Sequence, residues 1–200
     1  GEWLFAQTGT VSSFSEVRAR LVESIPEFLR AGIRGESDAE VVFHVFLAFL
    51  HDGGKINHVP VERACEALRS TYALVNSVGT EVGADPLALN IIVANGEYLV
   101  GANRGSPMAY KVISGKADAE ALIGDDLQLR RKIPELAQVH FSLLASDFGP
   151  VRGSMPPSSS AAAFAPSSGE FLPPAHWKRA PESTALLILE RDRDPRIEAF

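Results

Sequence analysis

Gly1-Glu-Trp-Leu-Phe-Ala-Gln-Thr-Gly-Thr-Val11, with Gly35-Glu-Ser-Asp-Ala-Glu40 further on, is the sequence whose reading decides the fold. Residues 3–6 are a short apolar run that stops at Thr8-Gly9, the pattern of a buried strand entering a sharp turn. Asp38 stands ahead of a second apolar run, where an acid marks a helix N-terminus. Between them, Val17, Leu21, Val22 and Ile25 recur at helical spacing, with Ser15 as N-cap, Phe14 as a staple and Pro26 as a kink or restart.

Beyond Asp38, residues 41–50 are apolar on nearly every face, which predicts a central, buried helix. It stops at Asp52-Gly-Gly54. Pro60 suits the first turn of a third helix, with Ala64, Leu68, Tyr72 and Val75 along one face. The period then changes. Residues 87–94 and 97–102 flank Asn95-Gly96, which predicts a hairpin closed by a type I′ turn. Further strands are expected at 108–113, 139–145 and 184–190. Residues 116–132 are charged and read as loop or short helix, and 153–175 as a Ser/Pro-rich loop. Residues 191–200 read as a polar tail. Strand, helices, then antiparallel strands is an α+β order, within a single domain spanning residues 1–200.

Composition narrows the function classes. A net charge of -6 leaves no basic stripe for phosphates, so no nucleic-acid partner is expected. The basic runs Arg130-Arg-Lys132 and Lys178-Arg179 are short, flanked by acids, and read as solvated surface. The longest apolar run is broken by His44 and is too short for a bilayer, so no membrane partner is expected. One cysteine excludes an internal disulfide framework and fits a reducing cytoplasm, and no secretory leader is visible. Cys65 lies within the amphipathic third helix and reads as a small buried thiol rather than a nucleophile. His44 reads as a satisfied core histidine. His51, His58, His140 and His176 have no metal-ligand spacing, so neither metal nor cofactor is expected.

Five segments, in order, resemble a known family. Trp3-Leu-Phe-Ala-Gln-Thr-Gly-Thr-Val11 is similar to a W-x-F-A-H-N-G strand and turn. Gly35-Glu-Ser-Asp-Ala-Glu40 is similar to a G-x-T/S-D-S-E helix start. Residues 90–100 resemble an N-F-hydrophobic-D/N-G hairpin, residues 139–147 a hydrophobic-A-S-E-P strand, and residues 177–182 a W-x-x-hydrophobic-P-x-G segment. The family is the class II glutamine amidotransferases, of the N-terminal-nucleophile hydrolase type, in its small single-domain form.

The resemblance implies a four-layer αββα sandwich, of which this chain is the C-terminal two-thirds, incomplete without an N-terminal segment. It also implies hydrolysis of the side-chain amide of glutamine, or a γ-glutamyl amide, by an N-terminal cysteine whose α-amine is the base. That cysteine is absent from this chain. A complementary N-terminal segment, or another subunit, is therefore an expected partner, since strand 3–6 would otherwise present an unpaired edge.

The resemblance assigns roles to four residues. Asp38, with Ser37 beside it, falls where the family binds the substrate's α-ammonium; Asp38 also reads as a helix cap, and the two roles are compatible. Gly9 matches the glycine whose N–H lines the oxyanion hole, and it also reads as a turn glycine. Thr8 replaces the asparagine that supplies the second donor, and Gln7 replaces the usual histidine. A threonine hydroxyl is shorter than that amide, and loss of one such donor costs about 10²–10³ in kcat. Besides the enzyme, two readings remain open: a catalytically inactive amidotransferase-like structural or regulatory subunit, and an unrelated α+β binding domain.

Overall fold

The apolar run that opens the chain becomes strand β1 (Leu4–Thr8) in the computed structural model, which describes residues 3–52, 58–123, 138–146, 177–189 and 194–200. Four helices follow: α1 (Phe14–Glu23), α2 (Glu27–Arg30), α3 (Asp38–Asp52) and α4 (Val61–Glu81). Strands β2 (Asn90–Ala94), β3 (Tyr98–Asn103) and β4 (Met108–Ser114) lead to α5 (Gly115–Ile123). Strands β5 (His140–Ser146), β6 (Lys178–Arg179), β7 (Thr184–Leu189) and β8 (Arg196–Ala199) complete the chain.

The strands form two antiparallel sheets, one ordered β1-β2-β3-β7-β8 and one ordered β5-β4-β6. The strand period of two explains how the larger sheet serves two cores. Ile91, Val93, Val100 and Leu187 face the helices and join Val17, Leu21, Val41, Val45, Phe46, Leu68 and Val75 in the main core. Their neighbours Ile92 and Leu186 face the smaller sheet and meet Met108, Tyr110, Val112 and Leu144. On β4, Ile113 points away from that seam and packs with Ala119 of α5 and with Val139.

Helix α3 is the buried helix that its pattern predicts. Phe46 is 0 % exposed and meets Trp3 edge to face, while Phe43 lies against Phe5. His44 is buried, and its Nδ1 lies 2.8 Å from the Glu40 carbonyl, one turn earlier. Pro26 restarts the chain as the short α2, and Pro60 precedes the first turn of α4.

Several local expectations are corrected. The cap of α1 is Ser13, at φ 53°, not Ser15; the helix already begins at Phe14, because the Ser13 carbonyl accepts the Glu16 and Val17 N–H groups. Asp38 does not cap α3. Ser37 does, its Oγ accepting the Glu40 N–H at 3.3 Å, while Asp38 is the first helical residue.

The hairpin is present, but its turn lies one residue later than Asn95-Gly96 predicts. Asn95 pairs with Tyr98, Gly96 carries φ 88°, and Glu97 has no positive φ, the signature of a II′ turn with glycine first. The Asn95 side chain decides this: its Oδ1 accepts both the Glu97 and Tyr98 N–H groups. The polar tail is partly strand, since Arg196–Ala199 pairs with β7, and Phe200 beyond it packs on Tyr72. The proposed loop at 153–175, the last residue of the 139–147 match and the run Arg130-Arg-Lys132 lie outside the described residues. The other basic run is β6, where Lys178 meets Asp194 at 3.9 Å and Arg179 meets Glu182 at 3.3 Å. Among the described residues, no helix is long and apolar enough to cross a membrane.

Candidate functional site

β1 ends in a turn that is gripped from both sides. Thr8 pairs across the sheet with Asn90, which pairs in turn with Asn103. Directly opposed residues share a face, so these three polar residues form a row on the side facing the smaller sheet. There the Thr8 Oγ1 lies 2.6 Å from the Oγ of Ser146, the last residue of β5. Asn90 Nδ2 donates to the same Ser146 oxygen at 2.9 Å, and Asn90 Oδ1 accepts the N–H groups of Arg104 and Gly105 at 3.0 and 2.7 Å. Asn103 donates to the Ala180 and Pro181 carbonyls. Burial of Asn90 and Asn103 is tolerated because both are hydrogen-bonded.

Gly9 follows with φ 91°, and a Cβ there would run into the Ala88 carbonyl oxygen. Both constraints require glycine. Among the described residues the Gly9 N–H has no acceptor, and Gly9 is exposed. The turn therefore presents a free backbone donor next to the Thr8 hydroxyl.

On the opposite side stands Asp38. Its Oδ2 accepts the Val11 N–H at 2.8 Å and the Gln7 Nε2 at 3.2 Å, and its Oδ1 accepts the Ala39 N–H at 2.8 Å. The carboxylate thus ties the first turn of α3 to the end of β1, using charge-assisted bonds. Gln7 Nε2 also reaches the Gly9 carbonyl at 3.3 Å, and Gln7 Oε1 is buried without a partner among the described residues. Glu40 fastens the loop before α3. Its carboxylate accepts the Arg34 and Gly35 N–H groups, both at 2.7 Å, and the Arg34 bond is the main reason its pKa falls below the ordinary glutamate value.

The sequence-predicted residues Thr8, Gly9 and Asp38 thus belong to one locality, linked through Gln7 and Val11, with Ser37 at the adjoining helix cap. Asn90 and Ser146 had no role assigned from sequence, although both fall in segments that carry the resemblance, 90–100 and 139–147. The available signal was a lone asparagine opening an otherwise apolar strand, Asn90-Ile-Ile-Val-Ala. Cys65 lies far from such chemistry in character: it is 1 % exposed, and burial pushes its thiol up to about 11. Among the described residues, no group of three His, Cys, Asp or Glu side chains is arranged to hold a metal ion.

No family model matches the sequence. No curated protein matches it either. Among solved structures, the chain is similar to a predicted glutamine amidotransferase from Pseudomonas aeruginosa, with a TM-score of 0.47 and 16% identity over 95% of this chain and 58% of that one. It is also similar to a glutamine aminotransferase class-II domain protein from Silicibacter pomeroyi, with a TM-score of 0.60 and 14% identity over 99% of this chain and 67% of that one. With that second protein this chain shares a fold: a mixed α+β arrangement of two antiparallel sheets and their helices.

Proposed function

We propose that this chain forms the oxyanion and substrate-recognition side of a class II glutamine amidotransferase-type site. The substrate is glutamine or a γ-glutamyl amide. The observation that carries the reading is the Thr8-Gly9 turn: a positive-φ glycine with a free N–H, a hydroxyl beside it, and a carboxylate behind it. The α5 helix beyond β4 is consistent with a four-layer αββα sandwich.

In this reading a cysteine outside these 200 residues supplies the thiolate. It attacks the amide carbon, and the carbonyl oxygen becomes an oxyanion stabilised by the Gly9 N–H and the Thr8 hydroxyl. The C–N bond breaks, the nitrogen takes a proton and leaves as ammonia, and water hydrolyses the thioester to the carboxylate. Asp38 holds the substrate's α-ammonium through the acceptor capacity that its three protein donors leave. The cysteine-bearing segment pairs along β1, the outer strand of the larger sheet, where Leu4 is 74 % exposed.

The second reading is an inactive relative with a structural or regulatory role. One observation favours it: three protein donors already occupy Asp38. A denaturing intact mass of the purified material, paired with an ammonia-release assay on L-glutamine, separates the two. A second species beginning with cysteine and release of ammonia support the enzyme. A single 21.5 kDa species without activity supports the inactive relative.

A further inference from the structure

We propose that Ser146 is a positioning residue for the Thr8 hydroxyl, holding it as a donor toward an anion at the Thr8-Gly9 turn. The inference rests on the oxyanion reading of that turn and deepens it. It follows from counting protons and lone pairs along Asn90, Ser146 and Thr8.

Asn90 is fixed first. Its Oδ1 sits between the N–H groups of Arg104 and Gly105, so a flipped amide would set donors against donors. Its Nδ2 therefore points at Ser146 Oγ and at the Ser106 carbonyl. Ser146 must accept from Asn90, which leaves it one lone pair and one proton. Thr8 lies 2.6 Å away, and either hydroxyl can be the donor. If Thr8 donates, the Ser146 proton has no partner among the described residues. If Ser146 donates, Thr8 keeps its own proton for the turn, beside the free Gly9 N–H.

An anion at the turn selects the second arrangement. Two hydroxyl rotors turn and no heavy atom moves, so the donor is ready without reorganisation. The chain then runs amide to serine to threonine to anion, and each bond polarises the next. This offsets the shorter reach of a threonine where the family pattern has an asparagine. Without Ser146, the Thr8 hydroxyl would have no anchor on the smaller sheet.

The test uses the full chain, isotopically labelled, with L-glutamate as the probe because its γ-carboxylate places an oxygen anion where the oxyanion would form. The Gly9 N–H resonance reports binding, and ammonia release from L-glutamine is followed in parallel with the cysteine-bearing segment present. Ser146→Ala should weaken glutamate binding about five- to tenfold, the size of one lost hydrogen bond. Any glutaminase activity should lose kcat by a similar factor with KM unchanged. Ser146→Thr, which keeps the hydroxyl, should restore most of both, and its spectrum checks that the fold tolerates change at this position. In a Thr8→Val background, Ser146→Ala should add nothing. Wild-type binding in Ser146→Ala, or an undiminished loss in the Thr8→Val background, overturns the proposal. If ammonia is released while Ser146→Ala has no effect, the relay fails and the amidotransferase reading stands. Absence of ammonia release with the cysteine-bearing segment present, alongside a Ser146-dependent Gly9 shift, removes the enzyme and keeps the relay. No Gly9 shift in the wild type overturns both.

Discussion

Gly9 concentrates the residue-scale constraints. Its positive φ and its contact with the Ala88 carbonyl both exclude a side chain. Gly9→Ala should therefore destabilise the chain by about 1–3 kcal/mol, read from urea unfolding. Asp38 is the second test. Asparagine at that position would turn an NH₂ toward N–H donors or lose the charge in its bonds to Val11 and Gln7. Asp38→Asn should cost about 1.5–3 kcal/mol in the same measurement, beyond any effect on glutamine hydrolysis. Cys65 gives a pH prediction. Its folded pKa, about 11, lies above the unfolded value of 9.0, so the folded state retains the proton longer. Its contribution is whole below pH 9.0 and is lost as pH rises through about 11. At neutral pH a thiol reagent should leave the native chain unlabelled and react once it is denatured. Glu40 has the opposite sign. Its lowered pKa means that the bonds to Arg34 and Gly35 hold above the unfolded carboxylate value and are lost as pH falls through the folded one. An acid titration should show the Arg34 and Gly35 amide resonances moving together, and Glu40→Gln should abolish that transition.

At the scale of elements, α3 carries the most. Its apolar residues cover nearly the whole circumference, and the fold buries Val41, Val42, Val45, Phe46 and Leu50. Phe46→Ala should cost about 3–5 kcal/mol, measured by thermal or denaturant unfolding, because it removes a fully buried ring that packs on Trp3 in the main core. Existence and type of α1, α3, α4, β1–β5 and β7 were legible from periodicity, since each must present an apolar face to a core. The missed elements are instructive. β6 is two residues long, and β8 reads Arg196-Ile-Glu-Ala, with all four residues exposed. Such strands form because a neighbouring edge offers them hydrogen bonds, and composition does not record that. The hairpin turn moved by one residue for a related reason: Asn95 uses its side chain as the turn's acceptor, and Gly96 alone takes the positive φ.

Over the whole molecule, the two sheets end side by side at β1 and β5, joined by the Thr8–Ser146 contact. Both are outer strands among the described residues, and exposed apolar side chains stand on them, Leu4 and Phe141. An unpaired apolar edge invites another strand. The chain by itself should therefore self-associate, detectable by light scattering, and Leu4→Lys should reduce this without lowering the unfolding midpoint.

Sequence alone determined the alternation of strand and helix, the central buried helix, the buried thiol and the special turn at Thr8-Gly9. Each of these is a local pattern, set by side-chain period or by backbone freedom at one position. The tertiary structure decided which polar groups meet. Thr8 and Ser146 are 138 residues apart, and Gln7 and Asp38 are 31 apart. It also moved Asp38 from the helix cap to the strand end and gave the cap to Ser37. No local pattern encodes such pairings, because a hydrogen bond between distant side chains exists only once the sheets have stacked and a helix has docked against them.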